Sequence, residues 1–131
     1  VFFEAISTGH IGYATVHADS SKNTIDRLVL LMKRDQKAQM YTDKYLRKLL
    51  AQSLDLVVYM NNFKVQEITE VIYDEENDDI SYNPLFEFKV DKYENGKSIG
   101  KFKKLGKPMG RVKKKLDLSK SQIAKLMEDN S

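Results

Sequence analysis

The chain has 131 residues, no cysteine, and a formal net charge of +3 from 22 basic and 19 acidic side chains. This is enough sequence for one hydrophobic core, and the missing cysteine excludes a disulfide framework, a thiolate zinc centre, an iron–sulfur cluster and a cysteine nucleophile. Charge is uneven: residues 1–96 carry 11 basic and 16 acidic groups, a net of −5, whereas residues 97–131 carry 11 basic and 3 acidic groups, a net of +8.

In chain order, residues 2–8 read as the end of a helix, which Gly9 stops. Residues 12–18 read as a short strand. Asp19 or Ser20 caps a helix to about Arg34, with Ile25, Leu28, Val29 and Met32 at helical spacing. Residues 35–40 are a polar loop. Thr42 caps a second helix to about Ser53, with Tyr45, Leu46, Leu49 and Leu50 on one face. Residues 54–60 form a compact apolar run expected to be a strand buried on both faces, followed by an Asn61-Asn62 turn. Residues 64–73 are β-rich, the acidic stretch 74–79 is a hairpin turn, and residues 80–90 resume strand character, interrupted at Pro84. Asn95-Gly96 is a strong turn signal, and residues 98–104 are a last strand. Residues 109–116 and 119–128 are expected to be two short helices, the second capped by Ser119 with Ile123 and Leu126 inward. No apolar run approaches the ~18 residues that a membrane span requires. The chain begins at Val1 rather than methionine and is expected to be a piece of a longer protein. The order suggests an α/β fold with an antiparallel extension.

Both histidines fall in one short segment, Thr8-Gly9-His10-Ile11-Gly12-Tyr13-Ala14-Thr15-Val16-His17-Ala18-Asp19-Ser20. On a strand, Tyr13, Thr15 and His17 share one face, and Gly12, Ala14 and Ala18 the other. The imidazoles and the Thr15 hydroxyl would then converge near one sheet end, where they can donate to a phosphate oxygen. Spacing alone favours plainer roles: His10 bonding loop backbone, His17 satisfied in a core. No carboxylate or thiolate completes a two-histidine metal site, and Ser7 and Ser20 lack the glycine pattern of a nucleophile elbow. There is no phosphate-binding glycine loop: in residues 100–108 the glycines stand six apart, and Pro108 occupies the hydroxyl position.

The pattern Thr8-Gly9-His10-x-Gly12-x-x-Thr15-x-His17-Ala18-x-Ser20 resembles the histidine box of type II/IV secretion ATPases, most closely the tight-adherence (Flp-type pilus) branch. It is one residue shorter between Gly12 and Thr15, and Asp19 replaces the usual Asn. Asp55-Leu56-Val57-Val58, Ile68-Thr69-Glu70-Val71, Leu85-Phe86-Glu87-Phe88 and Gly96-Lys97-x-x-Gly100-Lys101-Phe102 are similar to later family segments in the same order. The resemblance implies the C-terminal half of a RecA-like P-loop NTPase sheet with an antiparallel β extension and small C-terminal helices. Residues 1–93 would belong to the ATPase domain, with the histidine box at 8–20, and residues 94–131 would be a basic subdomain. It further implies a parent motor that uses ATP and Mg2+, assembles as a homo-hexamer, and works on an inner-membrane secretion or pilus platform protein from the cytoplasmic face. His17 would stand near the γ-phosphate and His10 near the catalytic glutamate, with Thr15 supporting them and Gly9 and Gly12 holding the turn. The phosphate loop and acidic boxes would lie upstream, so this piece alone is expected to bind no cofactor, to be inactive, and to be a monomer or weak dimer. The alternative is a non-catalytic interaction module that docks a membrane or nucleic-acid partner through its basic tail. Specific nucleic-acid binding is not expected, because residues 97–131 hold one aromatic, Phe102.

Overall fold

The computed structural model describes residues 12–129. Histidine-box residues Gly9 and His10, and the helix expected at 2–8, lie outside them. Among the described residues the fold is α/β, with three helices and one four-stranded antiparallel sheet. The elements are α1 (Ser21–Met32), α2 (Asp43–Ser53), β1 (Leu56–Asn61), β2 (Lys64–Asp74), β3 (Asp79–Glu94), β4 (Lys97–Lys104) and α3 (Arg111–Asp129). The sheet is a meander in the order β1-β2-β3-β4.

Both leading helices start as their caps dictate. Ser20 accepts from the Asn23 N–H at 3.1 Å, and Thr42 from the Tyr45 N–H at 3.2 Å. The apolar stripe of α1 (Ile25, Leu28, Val29, Met32) and that of α2 (Leu46, Leu50, Ala51) meet over Val57 of β1 and Val71 of β2. Tyr73, Ile80 and Tyr82 edge this core, and Ala38 of the intervening loop is buried in it.

Turn chemistry sets the hairpins. Asn62 and Phe63, and Asn95 and Gly96, all have φ near +50° to +70°, the left-handed pair that matches strand twist. The first turn therefore falls one residue later than the asparagine pair suggests. It leaves Phe63 fully exposed in a conformation that bulky side chains disfavour. Gly100 is required by space: a Cβ there would lie 1.9 Å from the Lys89 carbonyl oxygen.

Four expectations need correction. Residues 12–18 form no strand. Strand propensity is realised only against a ladder partner, and among the described residues none lies beside them. Among the described residues β1 is an edge strand, and it is not buried on both faces: Val57 is buried, but Leu56, Val58 and Met60 are exposed because the helices cover one face. Pro84 does not interrupt β3. It pairs opposite Thr69 at a register shift, and such a bulge tolerates a residue without an N–H. Finally, the two short C-terminal helices are one helix, α3. Ser119 is no cap: its hydroxyl donates back to the Lys115 carbonyl at 3.0 Å, and Ile123 and Leu126 face solvent. The division expected at 93/94 falls at the end of β3, whose second half pairs with β4 in the same sheet.

Candidate functional site

Three places concentrate polar side chains: the segment leading into α1, a clasp beneath the acidic turn, and the junction where α3 meets the sheet.

In the first, Gly12, Thr15 and His17 are exposed, while Val16 packs against the core and Ala18 is half-buried. The alternation thus turns Thr15 and His17 outward, together with the fully exposed Tyr13. Ala14 is exposed as well, and among the described residues a Cβ on Gly12 would meet nothing within 4 Å. The segment runs directly into the Ser20 cap, and the Ser21 N–H donates to Glu67 Oε2 at 3.3 Å, tying the start of α1 to β2. Next to Glu67 lies a cavity of about 200 Å3 lined by Glu67, Thr69, Pro84, Phe86, Glu87 and Leu105. Its two carboxylates repel phosphate, and its size is below the ~300 Å3 at which small-molecule pockets begin.

In the second, α2 grips the β2–β3 turn. Asp78 accepts from the Tyr73 hydroxyl and pairs with Lys44 at 3.0 Å and Lys48 at 3.7 Å, while Lys48 sits 5.0 Å from the Tyr73 ring centre. Arg47 bridges Asp26 of α1 and Asp79 of β3 at 2.5 and 3.4 Å. Asp74 closes the turn by accepting from the Glu76 and Asn77 N–H groups. The Tyr73 hydrogen bond, then Lys44, hold the Asp78 carboxyl down at about 2. Because its folded value lies below the usual 3.8, the clasp is at full strength above pH ~4 and fades as pH falls toward 2. The Asp78→Asn variant is expected to lose less stability than the parent across that window, measured by thermal unfolding at stepped pH.

The third was not visible from the sequence. Glu70, in the middle of β2, is 0% exposed. It accepts from Asn83 Nδ2 at 2.9 Å, from the Met109 N–H at 2.9 Å and from the Gly110 N–H at 2.8 Å. The carboxylate therefore sits at the positive end of α3 and satisfies backbone donors that precede it. A Cβ on Gly110 would lie 3.2 Å from Glu70 Oε1, so glycine permits the approach. Asn83 Nδ2 also donates to the Lys107 carbonyl at 2.8 Å, fastening the strap before the helix. Arg111 completes the junction. Its Nη2 donates to the Leu54 carbonyl at 2.7 Å at the C-terminal end of α2, and its Nε lies 3.3 Å from Asp55, which Lys115 also reaches at 2.5 Å. The signal for Glu70 was a lone charge inside a β-branched run. For α3 it was Gly110 before a helical stretch.

Among the described residues there is no group of three or more potential metal ligands, and no helix is long and apolar enough to cross a membrane. Compared with known protein families and with curated proteins, the chain matches none.

Proposed function

We propose that the chain is the C-terminal portion of the RecA-like ATPase domain of a secretion or pilus-assembly motor. The reading starts from the histidine-box resemblance, and one structural observation carries it: Thr15 and His17 stand exposed on a segment that feeds straight into the capped N-terminus of α1. There they can face a nucleotide held by upstream parts of the parent. The contrast between the two sheet edges supports it. β4 bears Lys97, Lys101, Lys103 and Lys104, the charges that keep an edge solitary, whereas β1 bears no charge and exposes Leu56, Val58 and Met60. An uncharged apolar edge suits a sheet that continues beyond β1.

In this reading the parent binds ATP and Mg2+, and the nucleotide supplies the phosphoryl group whose loss drives the motor. Thr15 and His17 act as donors toward the phosphates, and His10 belongs to the same shell. Phosphoryl transfer depends mainly on positioned donors and charge, which imidazole and hydroxyl groups provide. Hexamer formation, the membrane-side platform partner and a place at the cytoplasmic membrane face follow from the same resemblance. The test has two parts. The isolated chain is expected to turn over no ATP and to show no tight nucleotide binding by calorimetry. In the parent reading frame, His17→Ala is expected to lower kcat by at least about tenfold with KM changed little, the pattern of a donor used in the transition state. Turnover by the isolated chain, or an unaltered kcat in the variant, refutes the reading.

A further inference from the structure

The basic C-terminal quarter holds one aromatic residue, Phe102, so by itself it offers no platform on which bases could stack. Strand pairing changes this. Phe88 of β3 stands opposite Phe102 of β4, and the two rings meet edge to face with centroids 5.3 Å apart. Residues paired across a sheet share a face, as do alternate residues of one strand. Tyr93, paired with Ser98, therefore lies on the face of Phe102, and so does Lys104. Glu67 accepts from the start of α1 and is paired with Glu87, which puts the adjacent Phe88 on the side of the sheet away from α1 and α2. Phe102 is 56% exposed and Tyr93 75%. Between them Gly100 has no side chain and leaves a gap on this face. Fully exposed Phe63 stands at the same end of the sheet, because its neighbour Lys64 donates to the Ser98 carbonyl at 2.9 Å.

The charges around these rings decide what fits them. Residues 86–104 carry six lysines against Glu87, Asp91 and Glu94. Glu87, opposite Lys103, and Glu94 lie on the helix side, Glu94 is also paired with Lys92 at 2.7 Å, and Asp91 is the residue that the register skips. Among the described residues, none of the four lysines of β4 (Lys97, Lys101, Lys103 and Lys104) forms an ion pair. Lys104 shares the aromatic face; the other three stand on the far side of an outer strand, where long stems can wrap around the edge. A chain of phosphates carrying flat rings matches both features, whereas a neutral apolar partner matches only the rings. A bilayer is a poor occupant, because the rings lie along the strands and the hairpin tip is Glu94-Asn95-Gly96-Lys97. We propose that this face binds single-stranded nucleic acid without base-sequence preference. Bases stack on Phe102 and Tyr93, and the phosphates follow the lysine edge of β4.

The proposal does not depend on the motor reading, and its assay involves no ATP. The full chain is titrated, by fluorescence anisotropy, against labelled oligothymidine and oligouridine of about 12 nucleotides, a DNA duplex of equal length, and polyglutamate. Both single strands are expected to bind at least about tenfold more tightly than the duplex or polyglutamate, with affinity falling steeply between about 50 and 200 mM salt. Any preference between the two identifies the sugar that is favoured. Phe102→Ala is expected to weaken single-strand binding at least about fivefold, and Tyr93→Ala, at the exposed end of the hairpin, likewise. Phe102→Tyr keeps a ring and is expected to bind within about twofold of the parent, which separates stacking from a folding defect. Replacing Lys101 and Lys103 together by alanine is expected to flatten the dependence of log affinity on log salt by about 1. Absence of binding, equal affinity for single strand and polyglutamate or duplex, or binding that survives both alanine variants at Phe102 and Tyr93 overturns the proposal. So does adsorption to phosphatidylglycerol-containing vesicles, or self-association lost in Phe102→Ala, without affinity for either oligonucleotide.

Discussion

Glu70→Leu is expected to destabilise the protein by about 2–4 kcal/mol, and to do so by releasing α3. The leucine is close in size and the site is fully buried, so the packing loss is small. The loss lies in the donors. The Met109 and Gly110 N–H groups both point at the carboxylate, and a buried donor left without an acceptor costs about 1–3 kcal/mol. Asn83 keeps its second bond to the Lys107 carbonyl, so its share is smaller. The total is capped because the strap at residues 105–110 can swing into water, where its donors are satisfied again. Two readouts separate this outcome from general unfolding. Urea denaturation gives the drop in stability, and trypsin cleavage after Arg111 should accelerate in the variant well below its unfolding midpoint. Glu70→Gln keeps the shape and one acceptor, so it is expected to cost about half as much. A Glu70→Leu variant with parental stability and parental cleavage at Arg111 would show that the carboxylate holds nothing.

Leu46→Ala is expected to cost about 2–5 kcal/mol, the range for truncating a large aliphatic side chain in a packed core. Leu46 is 0% exposed and stands where α2 faces α1 across the Val57 and Val71 strands. Both helices and the sheet close on it, so the cavity has little room to collapse. Against a total stability of roughly 5–15 kcal/mol, the lowering of the midpoint should be about 10 °C or more. Leu30→Ala, on the outer side of α1 at 62% exposure, is the matched control and should change stability by less than about 0.5 kcal/mol. Calorimetry on both variants checks the contrast. Similar losses from the two would mean that α1 and α2 do not pack through the faces described.

What was legible in the sequence was mostly local. Ser20 and Thr42 announce helix starts because a hydroxyl before an apolar 3.6-residue pattern has a defined job there. Asn95-Gly96 announces a hairpin because its backbone needs φ above zero twice. The failures share one cause, dependence on a distant partner. A run such as 54–60 looks the same whether one face or both are covered, and only the sheet order makes β1 an edge. Residues 12–18 have strand composition but no ladder beside them. Ser119 has a capping residue's chemistry, yet it bonds backward along a continuous helix. Of the candidate site, Thr15 and His17 are exposed on a segment that is no strand, and Gly9 and His10 lie outside the described residues. Glu70 and Arg111 were missed because their partners lie 13 to 60 residues away, and no short window contains both ends of such a bond.

The strand order also bears on how the molecule assembles. Each strand pairs with its neighbour in the chain, across two residues at Asn62-Phe63, four at residues 75–78 and two at Asn95-Gly96. Each hairpin therefore closes a short loop at small entropic cost, and the sheet can zip from one turn to the next. The seat for α3 is different, because it needs Glu70 from β2 and Asn83 from β3 already side by side. The C-terminal segment has nothing to fasten to until the central hairpin is made, so its docking comes late in folding.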